Sequence, residues 1–562
     1  MYNLRVSWNI GSHSSSVFVI RAKKWSDAAK YVLSRPMNPN PASARTFNQA
    51  EEWLNRCDEA HEGCARDPKW LSPSRLLNVA TLTIGEPVRL TETVARYNIP
   101  HDYKYAALSY CWGNQGAPWS TVKANIDEYK KGIPLETLPQ TIHHAIYVTL
   151  SLGLSYLWID CLCIVQDSIP DKTREIGQMP RVYKGAYVTI AAAVAANPHE
   201  GFLHPHTEPE LLTDQQIKLP FRGPRKRSRF PGSRDRDRTS SVIITPVKPG
   251  HSAHAPHADP IHARAWTFQE FLLSRRTIVY SASQVRFVCR QGQLVDGGRR
   301  TAAIATPTPL GAANDKDDPI KWRWDDIVEQ YSTRQLGNPE DKLTALAGVA
   351  EEFSAYVPDS GAYLAGMWEK NLRPNLLWIP DEKAVRPVCK YRAPSWSWAS
   401  LDGAVTRFSY EYPDHDHYEA GAVILSATCT PLYEGIPFGP VSSGSLKVRA
   451  RWQKAYFAFS QQPFHFYRSH SCGTLIKVRF DPSFSDEGYP EKVTCMVIGS
   501  TSLHGGRHYF GLVLEYLGAS YRRLGVWDFI LPDGVPDEET LYPLEEREQW
   551  IHRCWQLEME II

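Results

Sequence analysis

The stretch from Ser155 to Asp167, SYLWIDCLCIVQD, sets one carboxylate, Asp160, and two thiols, Cys161 and Cys163, in an otherwise nearly apolar run. Three chemistries fit it: a metal site, a thiol nucleophile with its helper, or a buried strand carrying one costly acid. Read as a strand, the run turns alternate side chains to opposite faces, so the two thiols cannot chelate one ion together. A thiolate nucleophile needs a base beside it. His143 and His144 precede the run on a helical segment, but the spacing sets neither next to a thiol. The acid is the sharper feature. Among apolar neighbours a carboxylate needs a cation or N–H donors to offset its desolvation. Arg264 and Arg181 are the partners expected, and structural pairing is favoured over direct catalysis. Gln269 and Glu270, opening a helix behind Trp266, carry the same two readings, and an acid there also suits the helix dipole.

A second constellation, Cys57-x3-His61-x2-Cys64, places donors about one turn apart on a helix and offers ligand types that zinc takes. Structural zinc ordinarily displays two paired half-sites, and no fourth donor stands nearby in sequence, so no metal site is expected. His251, His254, His257 and His262 fall in an irregular Pro-Ala stretch and are expected in solvent. The basic run PRKRSR has the composition of a nuclear address or a phosphate-binding patch, yet in a polar stretch it is expected to be solvated.

The elements that must hold these residues follow from periodicity. YAALSY reads as a buried strand. Leu138, Ile142, Ile146 and Leu150 then recur on one helical face, with Gly153 at the stop. SYLWIDCLCIV is read as a strand inside a covered parallel sheet, completing a βαβ unit. A helix is expected around Thr173 to Met179, interrupted or restarted by Pro180, then a strand in VTIAAAVA. Thr267 to Leu273 reads as a helix ahead of two strands, TIVYS and VRFVCR. Residues 1 to about 100 mix weak helix with loop, apart from short strands in LLNVATL and VRL. Downstream, two amphipathic helices meet at Gly337 and Asn338. From about 404 short apolar runs separated by Gly, Pro and Ser indicate a β domain. The division expected is 1–74, mixed helix and loop; 75–290, an α/β domain with a flexible basic insertion at 222–260; 291–403, helical; and 404–562, β-rich.

Composition narrows the function classes. With 63 Lys and Arg against 61 Asp and Glu, the 562 residues carry no global field to draw nucleic acid, and none is expected as a partner. The first thirty residues lack a signal-like apolar core and no later run reaches membrane-spanning length, so no membrane span is expected. The 11 cysteines are odd in number and without framework spacing, as in a reducing compartment, which points to the cytoplasm with the nucleus open.

Four blocks occur in order between about Arg75 and Arg290: YAALSYCWG; LPQTIHHAIYVTLSLGLSYLWIDCLCIVQD; Glu175, Met179, Tyr183 and Ala186; and RAWTFQEFLLSRRTIVY. Together they resemble the fungal heterokaryon-incompatibility (HET) domain. YSTRQLGNPEDKLTALAGVA, APSWSWAS and YRRLGVW are similar to companion segments of large HET proteins. One departure is visible: the Trp usual before the acid of the third block is missing, and Ile169, Pro170 and Asp171 stand there. The resemblance implies a TIR-like (flavodoxin-like), mostly parallel sheet. It also implies an effector or regulator of non-self recognition and programmed cell death, activated by a protein partner or by self-association. Likeness to TIR modules, some of which cleave NAD, implies a second reading. NAD would be the substrate and Glu175 the catalytic acid that orients the ribose hydroxyls and stabilises developing charge. Ser109, Trp112, Gly113 and Asp160 would line the cleft at the carboxyl ends of the strands, with Arg264, Trp266, Gln269 and Glu270 behind them. The bland counterparts are a solvated helix-face charge for Glu175 and a sheet-edge cap for Trp112. A third reading is a non-catalytic assembly module.

Overall fold

The computed structural model describes residues 3–10, 12–65, 72–93, 103–113, 116–206, 213–222, 239–248, 259–297, 324–386, 391–407, 418–434, 436–461, 464–469, 475–481, 490–503, 506–532 and 554–562. The chain divides into two compact units, Met1–Asp317 and Asp318–Ile562.

The first unit contains strands β1 (Asn3–Ile10), β2 (Ser12–Ala22), β3 (Arg75–Asn78), β4 (Arg89–Glu92), β5 (Tyr105–Ser109), β6 (Tyr156–Trp158), β7 (Val188–Ala191), β8 (Ile217–Arg222), β9 (Thr239–Pro246), β10 (Arg276–Tyr280), β11 (Val285–Cys289) and β12 (Gly292–Val295). Its helices are α1 (Ala44–Ala60), α2 (Ile126–Lys131), α3 (Gln140–Ser151), α4 (Asp160–Cys163), α5 (Ile169–Gly185) and α6 (Trp266–Leu273). Eight strands form one sheet in the order β12-β11-β10-β7-β5-β6-β3-β4. The four central strands, β10-β7-β5-β6, pair in parallel, and antiparallel pairs flank them on both sides. The sheet is therefore mixed, and the expectation of a mostly parallel sheet holds for its centre alone. All residues of β5, β7 and β10 are buried, so their sequences are mostly apolar and show no alternation. Helix α3 turns Ile142, Ala145 and Ile146 into the same core, and Gly153, at φ 69°, ends it in the left-handed region. Helix α1 joins that core through Phe47, Trp53 and Leu54.

Three expectations are corrected here. The N-terminus is a β1–β2 hairpin, not weak helix and loop, and it belongs to a four-stranded sheet β1-β2-β9-β8. Strands β8 and β9 bracket or lie within the stretch expected to be a flexible insertion. Strand β8 pairs only with the nearby β9, but β9 also pairs with β2, some two hundred residues away, and that pairing is invisible to any local window. PRKRSR, His251, His254 and His257 lie outside the described residues. Helix α5 is also continuous through Pro180. The buried side chains Glu175, Met179, Val182 and Tyr183 lie on both sides of that proline, and their burial outweighs a cost of about 3 kcal/mol for an interior proline.

In the second unit the expected helix pair is present as α7 (Trp324–Ser332) and α8 (Thr344–Tyr356). Between them the Asn338 side chain accepts from the Glu340 N–H at 3.2 Å, an Asx turn that opens a short helical segment. A nine-stranded sheet follows, its long strand Val441–Gln461 pairing with Ala422–Pro431, Phe464–Ser469, Lys492–Leu503 and Trp555–Ile561. No helix among the described residues is long and apolar enough to cross a membrane.

Candidate functional site

The apolar run that holds Asp160 is a strand only as far as Trp158. Asp160–Cys163 then forms a single helical turn, α4, so the strand alternation expected for Cys161 and Cys163 does not apply. A buried helical turn and a buried strand have the same apolar composition, which is why the run misled. Both thiols are buried, free and pushed up by desolvation, Cys163 to about 12. They are poor nucleophiles. His144 is engaged elsewhere, its Nδ1 accepting from the backbone N–H groups of Phe202 and Leu203 at 2.9 and 3.2 Å.

Asp160 sits where β6 gives way to α4. Its Oδ1 accepts from the Cys161 N–H at 2.7 Å, and its Oδ2 accepts from the Trp112 indole N–H at 2.7 Å. Trp112 lies in the segment that leaves the end of β5, so the first two sequence blocks meet at this carboxylate. Gly113 makes the approach possible: its φ is 67°, and a Cβ there would stand 3.1 Å from the Asn197 Cβ. Arg264 donates to the Tyr110 carbonyl, and its charge pulls Asp160 down, as do the bonds from Trp112, Cys161 and Tyr110. Desolvation is the larger effect and leaves Asp160 above its ordinary value.

Glu270, on α6, completes the group. Burial first, and then the charge of Asp160, push its carboxyl up to about 7, while Ser109, Arg264 and Tyr183 pull the other way. The Tyr183 hydroxyl also donates to the Leu108 carbonyl at 3.0 Å, tying α5 to β5. Next to Glu270, Gln269 is buried with neither amide atom hydrogen-bonded among the described residues. Trp266, at the head of α6, packs against the main core. Ser109, Trp112, Gly113, Asp160, Arg264 and Glu270 thus converge at the carboxyl ends of β5 and β6, and α6 closes the group from the far side of the sequence.

Glu175 keeps different company. It is 2% exposed, contrary to a solvated helix-face charge. Its Oε1 lies 3.0 Å from Arg174 Nη2 and 3.8 Å from Arg75 Nη2. Arg75 also pairs with Asp171 and donates from Nε to the Cys163 carbonyl at 2.7 Å. Asp171 in turn accepts from the Val165 N–H at 2.9 Å. This network fastens α5 to β3 and to the exit of α4, and none of the partners named belongs to the Trp112–Asp160–Glu270 group. Arg181, the other cation expected for Asp160, bonds Gln178 on the exposed face of α5.

Away from both groups, Cys57, His61, Cys64 and Cys289 bring four donor atoms within 4.8 Å of one another. The fourth donor, absent from the sequence around Cys57, comes from the end of β11, 228 residues beyond His61. His262 is described and packs edge-on against Phe271.

Compared with known proteins, residues 105–270 match the model of the family described as heterokaryon incompatibility protein (HET). No curated protein and no solved structure matches the chain. The match opens on the first residue of β5 and ends on Glu270, so it contains every member of the buried polar group.

Proposed function

With residues 105–270 as a HET domain, we propose that this protein acts in fungal heterokaryon incompatibility, as an effector or regulator that drives programmed cell death after non-self recognition. The α/β unit is the acting part, its parallel centre a TIR-like core, and a protein partner or self-association in the cytoplasm activates it. The observation that carries this reading is the coincidence of the family match with the group it closes: Trp112 on Asp160, with Arg264 and Glu270 beside them. Two buried carboxyls sharing one arginine, next to a Gln269 amide with no hydrogen-bond partner among the described residues, are expensive to keep for packing alone. Inducible expression in a fungal host tests this through growth arrest and loss of viability. Asp160→Asn and Glu270→Gln are expected to abolish arrest at unchanged protein level, whereas undiminished killing by both variants would overturn the assignment.

For the NAD-cleaving reading, the acid implied is Glu175, and its two arginine partners favour a framework role over catalysis. Nicotinamide release from NAD by the purified full chain measures this directly. We expect none that depends on Glu175, which leaves the domain as an assembly module whose polar group sets its switching.

A further inference from the structure

The cluster of Cys57, His61, Cys64 and Cys289 lies wholly outside the residues that match the HET family. Helix α1 ends at Ala60 and a short helical turn, Glu62–Cys64, follows, so Cys57, His61 and Cys64 fall on successive turns and face one point. Cys289 closes β11 just before the tight turn into β12, where it pairs with Gly292. The packing that aims the two halves at each other is apolar: Trp53 of α1 stacks on Phe287 of β11 with ring centroids 6.1 Å apart. All three sulfurs belong to fully or almost fully buried residues, and His61 is partly exposed. None of the thiols is in a disulfide.

We propose that these four side chains bind one zinc ion as a closed, structural Cys3His site. Zinc with a sulfur at about 2.3 Å and a nitrogen at about 2.1 Å in tetrahedral geometry holds those two donors about 3.6 Å apart. Cys289 Sγ and His61 Nδ1 are 3.5 Å apart, so this edge of the tetrahedron is already formed. Four protein donors leave no position for water or substrate, which makes the site structural. Soft thiolates with one imidazole select zinc over the hard cations. Three thiolates on a divalent ion carry one net negative charge, and Arg276 meets it, its Nε donating to Cys57 Sγ at 3.2 Å. Backbone N–H groups of Arg290 and Gln291 reach the sulfurs of Cys64 and Cys289, the outer support that zinc thiolates use. The ion would pin α1 to the antiparallel edge of the large sheet.

The test uses the full chain, produced with zinc in the medium, purified without chelator and assayed for metal by mass spectrometry. One zinc per chain is expected, and exchange into Co²⁺ should give thiolate charge-transfer bands with the intense visible absorption of a tetrahedral site. Cys289→Ser should weaken zinc binding by more than about a hundredfold, beyond what outer-shell partners supply. Should that variant not fold, His61→Cys keeps four soft donors and is expected to fold and retain the ion. Chelation of the wild type should lower its melting temperature and open three thiols to a thiol reagent. Three results would overturn the site: a folded wild type that holds neither zinc nor cobalt after dialysis against either ion, a disulfide joining two of the three thiols, or zinc retained by the triple Cys→Ser variant.

Discussion

Burial raises the carboxyls of both Asp160 and Glu270 above their ordinary values. Glu270 has an ordinary value of 4.5 and is raised to about 7 by burial and by Asp160. Between those values the folded chain binds more protons than the unfolded one. The stabilisation from this group is therefore complete below about pH 4.5 and lost as the pH rises through about 7. Glu270→Gln should remove the loss, gaining up to about 3 kcal/mol over wild type at pH 8 and almost nothing at pH 4. Denaturant midpoints at the two pH values check this, and equal effects at both would contradict it. Arg75 makes the complementary case. It serves Asp171 and Glu175 at once, so Arg75→Met leaves buried charge behind and should cost about 3–5 kcal/mol in unfolding free energy. Glu175→Gln keeps a hydrogen-bonding amide and should cost about 1–2 kcal/mol. If instead that variant lost killing activity at undiminished stability, the framework role of Glu175 would be wrong.

Elements position these residues through their ends more than their middles. Next to Trp112, which donates to Asp160, Gly113 holds a positive φ of 67° close against Asn197. Gly113→Ala should cost about 1–3 kcal/mol and loosen the indole, visible as a red shift and quenching of tryptophan emission against Gly113→Asn. Where an element is long and its pattern local, the sequence was readable: β5, α3, α6 and the β10–β11 pair lie where periodicity placed them, and the family match over 105–270 takes in the first three blocks and the start of the fourth, which runs on to Tyr280. What failed was physical in kind. The end of β6 at Trp158 is marked by the single acid Asp160 alone, because the rest of α4 is as apolar and buried as the strand before it. Pro180 inside α5 was a sound local stop signal outvoted by tertiary burial on both sides. Cys289 could not be joined to Cys57, His61 and Cys64 from spacing, since only the register of β11 in the sheet and its packing on α1 bring it there.

At the scale of the whole molecule, two units each enclose their own arginine-centred lock. In the second unit Arg523 is fully buried. Its Nε lies 3.0 Å from Asp481 Oδ2, its guanidinium sits 3.4 Å over the Trp378 ring, and it donates to the carbonyls of Leu376 and Trp378. Arg523 is thus one of the side chains that join the helical stretch to the nine-stranded sheet of that unit, with Ser395 and Arg479 among the others. Arg523→Met should cost about 3–5 kcal/mol and lower the melting temperature in scanning calorimetry. An unchanged melting profile would contradict this role for Arg523. The four-stranded sheet β1-β2-β9-β8 carries a different kind of consequence. Strand β2 finds its inner neighbour only at β9, with Ala22 opposite Val242 and Phe18 opposite Pro246. On a ribosome adding about 5–20 residues per second, the opening hairpin emerges and then waits roughly ten to fifty seconds for that neighbour to be made. During synthesis the β2 edge that β9 will cover is bare, so this hairpin is open to pairing with another chain until β9 is made.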